Sequence, residues 1–99
     1  MITWKKSANL YSIEFTNQYL KDLKKARKRN FDESKLNALI QLLIRGDIVP
    51  AQYKNHKLKG KYSGFFECHI TSDWLLIYAK DKNLLLITLI RTGSHSDLF

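Results

Sequence analysis

Cysteine is almost absent from this chain. Its single example, Cys68, has no partner for an internal disulfide, which agrees with a reducing compartment. No apolar run approaches the roughly 20 residues needed to span a bilayer. Nor does the first stretch hold the long apolar segment of a signal peptide. A cytoplasmic protein without membrane attachment is expected. No Cys-x-x-Cys or His-Glu-x-x-His spacing occurs, and Cys68 and His69 are strand neighbours that point to opposite faces. Neither a metal site nor a cofactor is expected. The absence of a glycine-rich phosphate loop removes support for nucleotide hydrolysis. Nothing in the sequence activates Cys68 as a nucleophile, so it reads as a small buried apolar residue. Repeats, low-complexity segments and interdomain linkers are missing too. The 99 residues therefore read as one domain, with residues 1–9 as a lead-in.

Acidic residues are also scarce. Nine Asp and Glu face seventeen Lys and Arg, a net charge of +8 and a pI near 9.7. A basic excess of this size in a small domain points to an anionic partner, most often nucleic acid.

Residues 10–15 (LYSIEF) alternate apolar and polar side chains, as a half-buried strand does. Thr16 or Asn17 then caps a helix to about Arg29. Tyr19, Leu20, Leu23 and Ala26 form its apolar stripe, and Lys21, Lys24, Lys25 and Lys28 fall on another face. Asn30 and Phe31 turn the chain. Asp32 caps a second helix to about Arg45, with Leu36, Leu39, Ile40 and Leu43 inward and Gly46 ending it. So short a joint predicts an antiparallel helical hairpin. Residues 47–63 read as a long loop with the only proline, Pro50, and the basic run YKNHKLKGKY. Loops of this length in compact domains are usually functional or disordered. Strands over about residues 64–70, 74–79 and 84–92 follow as an antiparallel meander. The expected fold is α+β in the order β-α-α-β-β-β. The helical hairpin packs on one face of a small, mainly antiparallel sheet, and the other face is free to bind.

All three histidines, His56, His69 and His95, lie after residue 55. Histidine is the side chain whose ordinary pKa suits proton transfer near neutrality. Cleaving RNA needs a base for the 2′-hydroxyl, an acid for the departing 5′-oxygen and a cation for the extra negative charge at phosphorus. His69 and Asp73 flank the first meander turn and are expected close together. Arg91 ends the last strand and His95 follows after Thr92-Gly93-Ser94, so both reach one rim. Against this, a lone histidine is more often a hydrogen-bonding surface residue, and Glu67 or Asp73 would serve as ion-pair partner for Arg91. The aromatics Tyr53, Tyr62, Phe65, Phe66, Trp74 and Phe99 are interleaved with Lys54, Lys57, Lys59 and Lys61. Such a mixture holds single-stranded RNA through base stacking and phosphate contacts. Tyr78 and one of Phe65 and Phe66 are expected in the core. Phe99 follows a polar tail with no periodicity for burial and is a candidate base-stacking group.

The run YKNHKLKGKYSGFFECHITSDWLLIY, followed by LIRTGSHSDLF, resembles the YafQ-type branch of the RelE/ParE toxin superfamily. That branch follows D/N-H-x-L-x-G-x-(W/Y)-x-G-(F/Y)-R/E-x-H-(I/V)-x-x-D-W-(L/I)-L-(I/V)-Y, then R-(T/L)-G-(S/T)-H-(S/A)-x-L-F. The resemblance covers about residues 10–99. It implies a toxin of a type II toxin–antitoxin system, cleaving mRNA in the ribosomal A site without metal and so stopping translation. It implies the ribosome and its mRNA as partners, and a cognate DinJ/RelB-like antitoxin in a hetero-oligomer. Mapped residue by residue, the implied site is His56, His69, Asp73, Arg91, His95 and Phe99. His95 would be the general acid, with Asp73 and His69 on the base side and His56 assisting. Arg91 would stabilise the phosphorane and Phe99 would stack on a nucleotide. Trp74 would pack or contact RNA. Glu67 and the lead-in are small departures from the pattern, expected to lie outside the chemistry. A basic groove that cuts mRNA also needs cover, so the antitoxin's C-terminal segment is expected to be acidic and apolar, folding as it binds. Two other functions fit the same fold: a ParE-like DNA gyrase inhibitor and a non-catalytic RNA-binding module. The first has no need of three histidines and an aspartate on one rim, and the second would bind RNA without cutting it.

Overall fold

Short polar side chains set the helix ends. The Thr16 hydroxyl accepts the Tyr19 N–H at the start of α1 (Asn17–Lys28). The Asp32 carboxylate accepts the Ser34 N–H at the start of α2 (Glu33–Arg45), and Gly46 ends that helix at φ 75°. Asn30, at φ 60°, makes the joint between them. The computed structural model describes residues 10–99, so the lead-in expected over residues 1–9 lies outside the described residues. Five strands make one sheet: β1 (Ser12–Phe15), β2 (His56–Lys57), β3 (Phe66–Thr71), β4 (Trp74–Asp81) and β5 (Leu86–Gly93). Their order is β1-β5-β4-β3-β2. β1 runs parallel to β5, with Ser12 opposite Leu86 and Phe15 opposite Leu89, and every other pairing is antiparallel.

The expected element order therefore holds, with two additions. The long loop contains β2 between two 3-10 turns, Ala51–Tyr53 and Gly60–Tyr62, and the polar tail forms a one-turn helix, α3 (His95–Leu98). Among the described residues, no helix is long and apolar enough to cross a membrane.

Both helices cover one face of the sheet. There Tyr19, Ala26, Leu36, Leu39 and Leu43 meet Cys68, Ile70, Trp74, Leu76, Tyr78, Ile87 and Leu89. Strand alternation sends Leu75 and Ile77 the other way. On that side Tyr62, Leu98, Leu58, Phe65 and Ile90 close a second, smaller core over them. The face expected to be free is thus partly covered, by the long loop and α3. Phe66 faces the helices and Phe65 the second core. Leu20, expected in the apolar stripe of α1, is 45% exposed, while Asp22 on the same helix is buried.

Two irregularities prepare the site. β5 contains a bulge: Tyr78 pairs with Leu89, but Ile77 pairs with Arg91. Ile87 and Leu89 face the helices, so unbroken alternation would send Arg91 there too. The extra residue, Ile90, reverses the phase and turns Arg91 to the face of Ile77. The second irregularity is at the edge of β5, where β1 stops at Phe15. Side chains of α1 and its cap replace the missing strand neighbour. The Thr16 hydroxyl donates to the Ile90 carbonyl at 2.8 Å, and the Asp22 carboxylate accepts the Thr92 N–H at 3.2 Å.

Candidate functional site

The register gathers the expected residues on the face away from the helices. His56 stands opposite Glu67, Glu67 opposite Ile77, and Ile77 opposite Arg91, one row across four strands. At about 4.8 Å between strands the row spans roughly 14 Å of backbone. His69, Leu75 and Gly93 form the next row, and His95 opens α3 two residues beyond Gly93.

Glu67 is the centre of one group. Its Oε1 lies 3.4 Å from His56 Nε2 and 3.5 Å from His69 Nε2, and its side chain is 7% exposed. His56 Nδ1 lies 2.6 Å from the Lys54 carbonyl, so Nδ1 is the donor there and Nε2 is the nitrogen that faces Glu67. Glu67, expected to lie outside the chemistry, thus stands between the two histidines. The trace in the sequence is its spacing, two residues before His69 on a strand, which puts both on one face.

A second group forms around α3. The Ser94 hydroxyl accepts the Asp97 N–H, and the Asp97 carboxylate accepts the Ser94 N–H, a reciprocal cap. Asp73 Oδ1 accepts the His95 N–H at 3.3 Å. The His95 ring stacks on Phe99 with centroids 5.0 Å apart, and Phe99 meets Tyr62 edge-on at 5.4 Å. The Tyr62 hydroxyl donates to the Leu98 carbonyl at 3.1 Å. Asp73 thus sides with His95, and among the described residues no hydrogen bond joins it to His69. The physical reason is the tight turn: Thr71 pairs with Trp74, so Asp73 sits at the turn while His69 points along the sheet to Glu67.

Arg91 stands between the groups, and its partner is neither Glu67 nor Asp73. Its Nε and Nη2 donate to Asp22 at 2.8 and 3.1 Å, and Nη1 lies 3.5 Å from the Tyr62 hydroxyl. Burial alone would raise the Asp22 pKa, but hydrogen bonds from Arg91, Gln18 and the Thr92 N–H hold it below the ordinary value. The same bonds keep the guanidinium firmly charged. Residue types alone pass over Asp22. An acid at an inward position, between Tyr19 and Ala26 on a lysine-rich helix, is the signal that finds it.

One expected RNA contact falls elsewhere. Trp74 alternates to the helix side, 2% exposed and 5.0 Å from the Phe31 ring, and among the described residues its indole N–H has no partner. A side chain so enclosed packs and does not touch RNA. Lys57 faces away from its strand neighbour His56, its ammonium 5.8 Å over the Phe66 ring. Lys54, Lys59 and Lys61 are exposed, and Lys61 Nζ stands 5.3 Å over the Tyr62 ring. A groove of about 360 Å³ borders His69 and is lined by Tyr53, Lys54, Thr71 and Ser72. Cys68 is fully buried, and burial pushes its thiol pKa up to about 12, so it is no nucleophile. Among the described residues, no group of three His, Cys, Asp or Glu is arranged to hold a metal ion.

These elements can supply a base, an acid, a cation and a stacking ring on one surface. Residues 11–99 match the family described as "Bacterial toxin of type II toxin-antitoxin system, YafQ". The chain is 44% identical over 88 residues to the mRNA interferase toxin YafQ of Escherichia coli K12, covering 88% of this chain and 94% of that one. It is similar to a chain of the E. coli DinJ-YafQ toxin-antitoxin complex, with TM-score 0.83, 42% identity and 91% and 98% of the two chains covered. It is also similar to a metal-bound toxin from Helicobacter pylori, with TM-score 0.83, 38% identity and 90% and 99% covered. Family match, identity and fold agree: the chain belongs to the YafQ family of type II toxin–antitoxin toxins.

Proposed function

We propose that this protein is a single-domain endoribonuclease toxin that cuts mRNA in the ribosomal A site, needs no metal ion, and stops translation in the cytoplasm. The observation that carries this reading is the gathering of His56, His69, Arg91 and His95 on the sheet face opposite the helices. The E. coli relative named an mRNA interferase supports it.

The cleavage proceeds by proton transfer. A base takes the 2′-hydroxyl proton, the 2′-oxygen bonds to phosphorus, and the bond from phosphorus to the 5′-oxygen breaks. His95 gives its proton to that leaving oxygen, so the products are a 2′,3′-cyclic phosphate and a 5′-hydroxyl. The base side is the His56–Glu67–His69 group, where the carboxylate orients both rings. Asp73 anchors the start of α3 and so serves the acid side. Arg91, held in place by Asp22, turns Nη1 toward the face where charge builds on the phosphorane. Phe99, stacked on His95 and half exposed, takes a nucleotide base on its free side. Lys54, Lys59 and Lys61 contact phosphates of the RNA.

YafQ of E. coli was solved in a toxin-antitoxin complex with DinJ. By the same logic a DinJ-like antitoxin, its C-terminal segment acidic and apolar, covers this face in a hetero-oligomer. The test uses chelator-stripped toxin, mRNA-programmed ribosomes and free mRNA. Cuts confined to A-site codons, ending in cyclic phosphate, are expected on ribosomes. Equal cutting of free mRNA would overturn ribosome dependence, and loss of activity on stripping would overturn metal independence.

A further inference from the structure

The acid side of the site rests on a very short element. α3 is a single turn, and isolated turns do not hold themselves together. It nonetheless begins at His95 and is followed by Phe99. The groups that fix it come mostly from elsewhere, and Asp97 is where they meet. Its carboxylate accepts the Ser94 N–H at 2.9 Å and receives Arg29 Nη1 and Nη2 at 2.7 and 3.2 Å. Arg29 is the C-cap residue of α1, 68 positions earlier in the chain. One forked ion pair thus ties the corner of the helical hairpin to the turn that carries His95. Such two-pronged pairs fix direction as well as distance.

Three further observations sharpen the point. A Cβ built at Gly93 would stand 3.1 Å from both Cβ and Oδ2 of Asp97, so the side chain is hemmed in by the end of β5. The hydrogen bonds from Arg29 and Ser94 hold the Asp97 carboxyl far below the usual carboxylate range, so it stays charged across all working pH values. Position 97 is also the open position of the motif R-T-G-S-H-S-x-L-F, which leaves it without a role in the family pattern.

We infer that Asp97, pinned by Arg29, is a positioning residue for the general acid: it aims His95 and Phe99 through the backbone of α3 without touching RNA. This rests on the role proposed above for His95. The pair is partly accessible, with side-chain exposures of 18% for Asp97 and 40% for Arg29, but both forks already point at each other.

The test combines single-turnover cleavage on programmed ribosomes with NMR of the free toxin, using Asp97→Ala, Asp97→Asn and Arg29→Gln. Asp97→Ala and Arg29→Gln are expected to lower the maximal cleavage rate about 10- to 100-fold, as loss of orientation does, while the half-saturating toxin concentration moves less than about twofold. Asp97→Asn keeps the cap acceptor without the charge and should fall between wild type and Asp97→Ala. In the NMR spectra the contacts between the His95 and Phe99 rings should weaken while the sheet resonances stay in place. Wild-type cleavage rates in the variants, a loss confined to the half-saturating concentration, or unaltered ring contacts would overturn the inference. If the wild type itself cuts no mRNA, the functional reading fails, and the NMR arm still decides whether the ion pair holds α3.

Discussion

Among the described residues, the helix-covered face of the sheet closes over a core cluster of thirteen buried residues, the opposite face over one of four. The larger cluster is apolar apart from the hydroxyls of its tyrosines, the Cys68 thiol and the Trp74 indole N–H. The smaller one is ringed by His56, Glu67, His69 and Arg91. Burial of apolar surface is the main favourable term in folding, so stability is concentrated on the first face. The second holds groups that cost free energy to desolvate and are kept in place by partners: Glu67 by two histidines, Arg91 by Asp22, α3 by caps at both ends. On the function proposed above, folding and chemistry fall on opposite sides of one sheet, and substitutions should separate them.

The sharpest break is at His95. His95→Ala should cut ribosome-dependent cleavage by about 10²- to 10⁴-fold, the worth of a general acid, while thermal unfolding shows a transition close to wild type. A matching loss of stability would mean that the chemical face also holds the fold. Leu76→Ala tests the other side. Leu76 is fully buried under the helices, and its truncation should cost about 2–5 kcal/mol in denaturant unfolding. Cleavage per folded molecule should be unchanged.

Asp22→Asn probes the seam between the faces. Removing the charge leaves Arg91 poorly matched in a mostly buried place, at a cost of about 1–3 kcal/mol at neutral pH. Because the folded-state pKa of Asp22 is depressed, its contribution is present above the unfolded value of about 4 and fades as pH falls through the folded one. The stability gap between wild type and Asp22→Asn should therefore be constant above about pH 5 and narrow on acidification below about pH 4. A gap independent of pH would remove the ion pair as its cause. The smallest effect is expected at Cys68. Its buried thiol should resist alkylating reagents at pH 8 and react only after unfolding. Fast labelling of the native protein would show that the helix-covered face opens.

The helix-covered face was largely legible in the sequence. The helix limits, Asp32 as cap, Gly46 as stop and the inward leucines of α2 all follow from periodicity and end chemistry, which act over a few residues. Its one misplaced residue is Leu20, exposed because the inward turn of α1 is given to Asp22 for a long-range ion pair. The chemical face was legible as a set of residue types and far less as a geometry. His56, His69, Arg91 and His95 do share it, but the bulge at Ile90 leaves no mark in LLLITLIRTG. Trp74 and Lys57 point away because strands alternate, and their phase becomes clear only once the two-residue turn and β2 are fixed. Glu67 and Asp22 were passed over because pairing across the sheet and across 69 positions is a property of the fold.

The extra residue at Ile90 has a practical meaning for anyone recombining such chains. β5 keeps time with the helices up to Leu89 and with the long loop and α3 afterwards. Residues 91–99 form a cassette with its own phase, carrying Arg91, His95 and Phe99 together. A chimera joined at the bulge would move that cassette intact, whereas losing one residue there would turn every following side chain of the strand over to the wrong side.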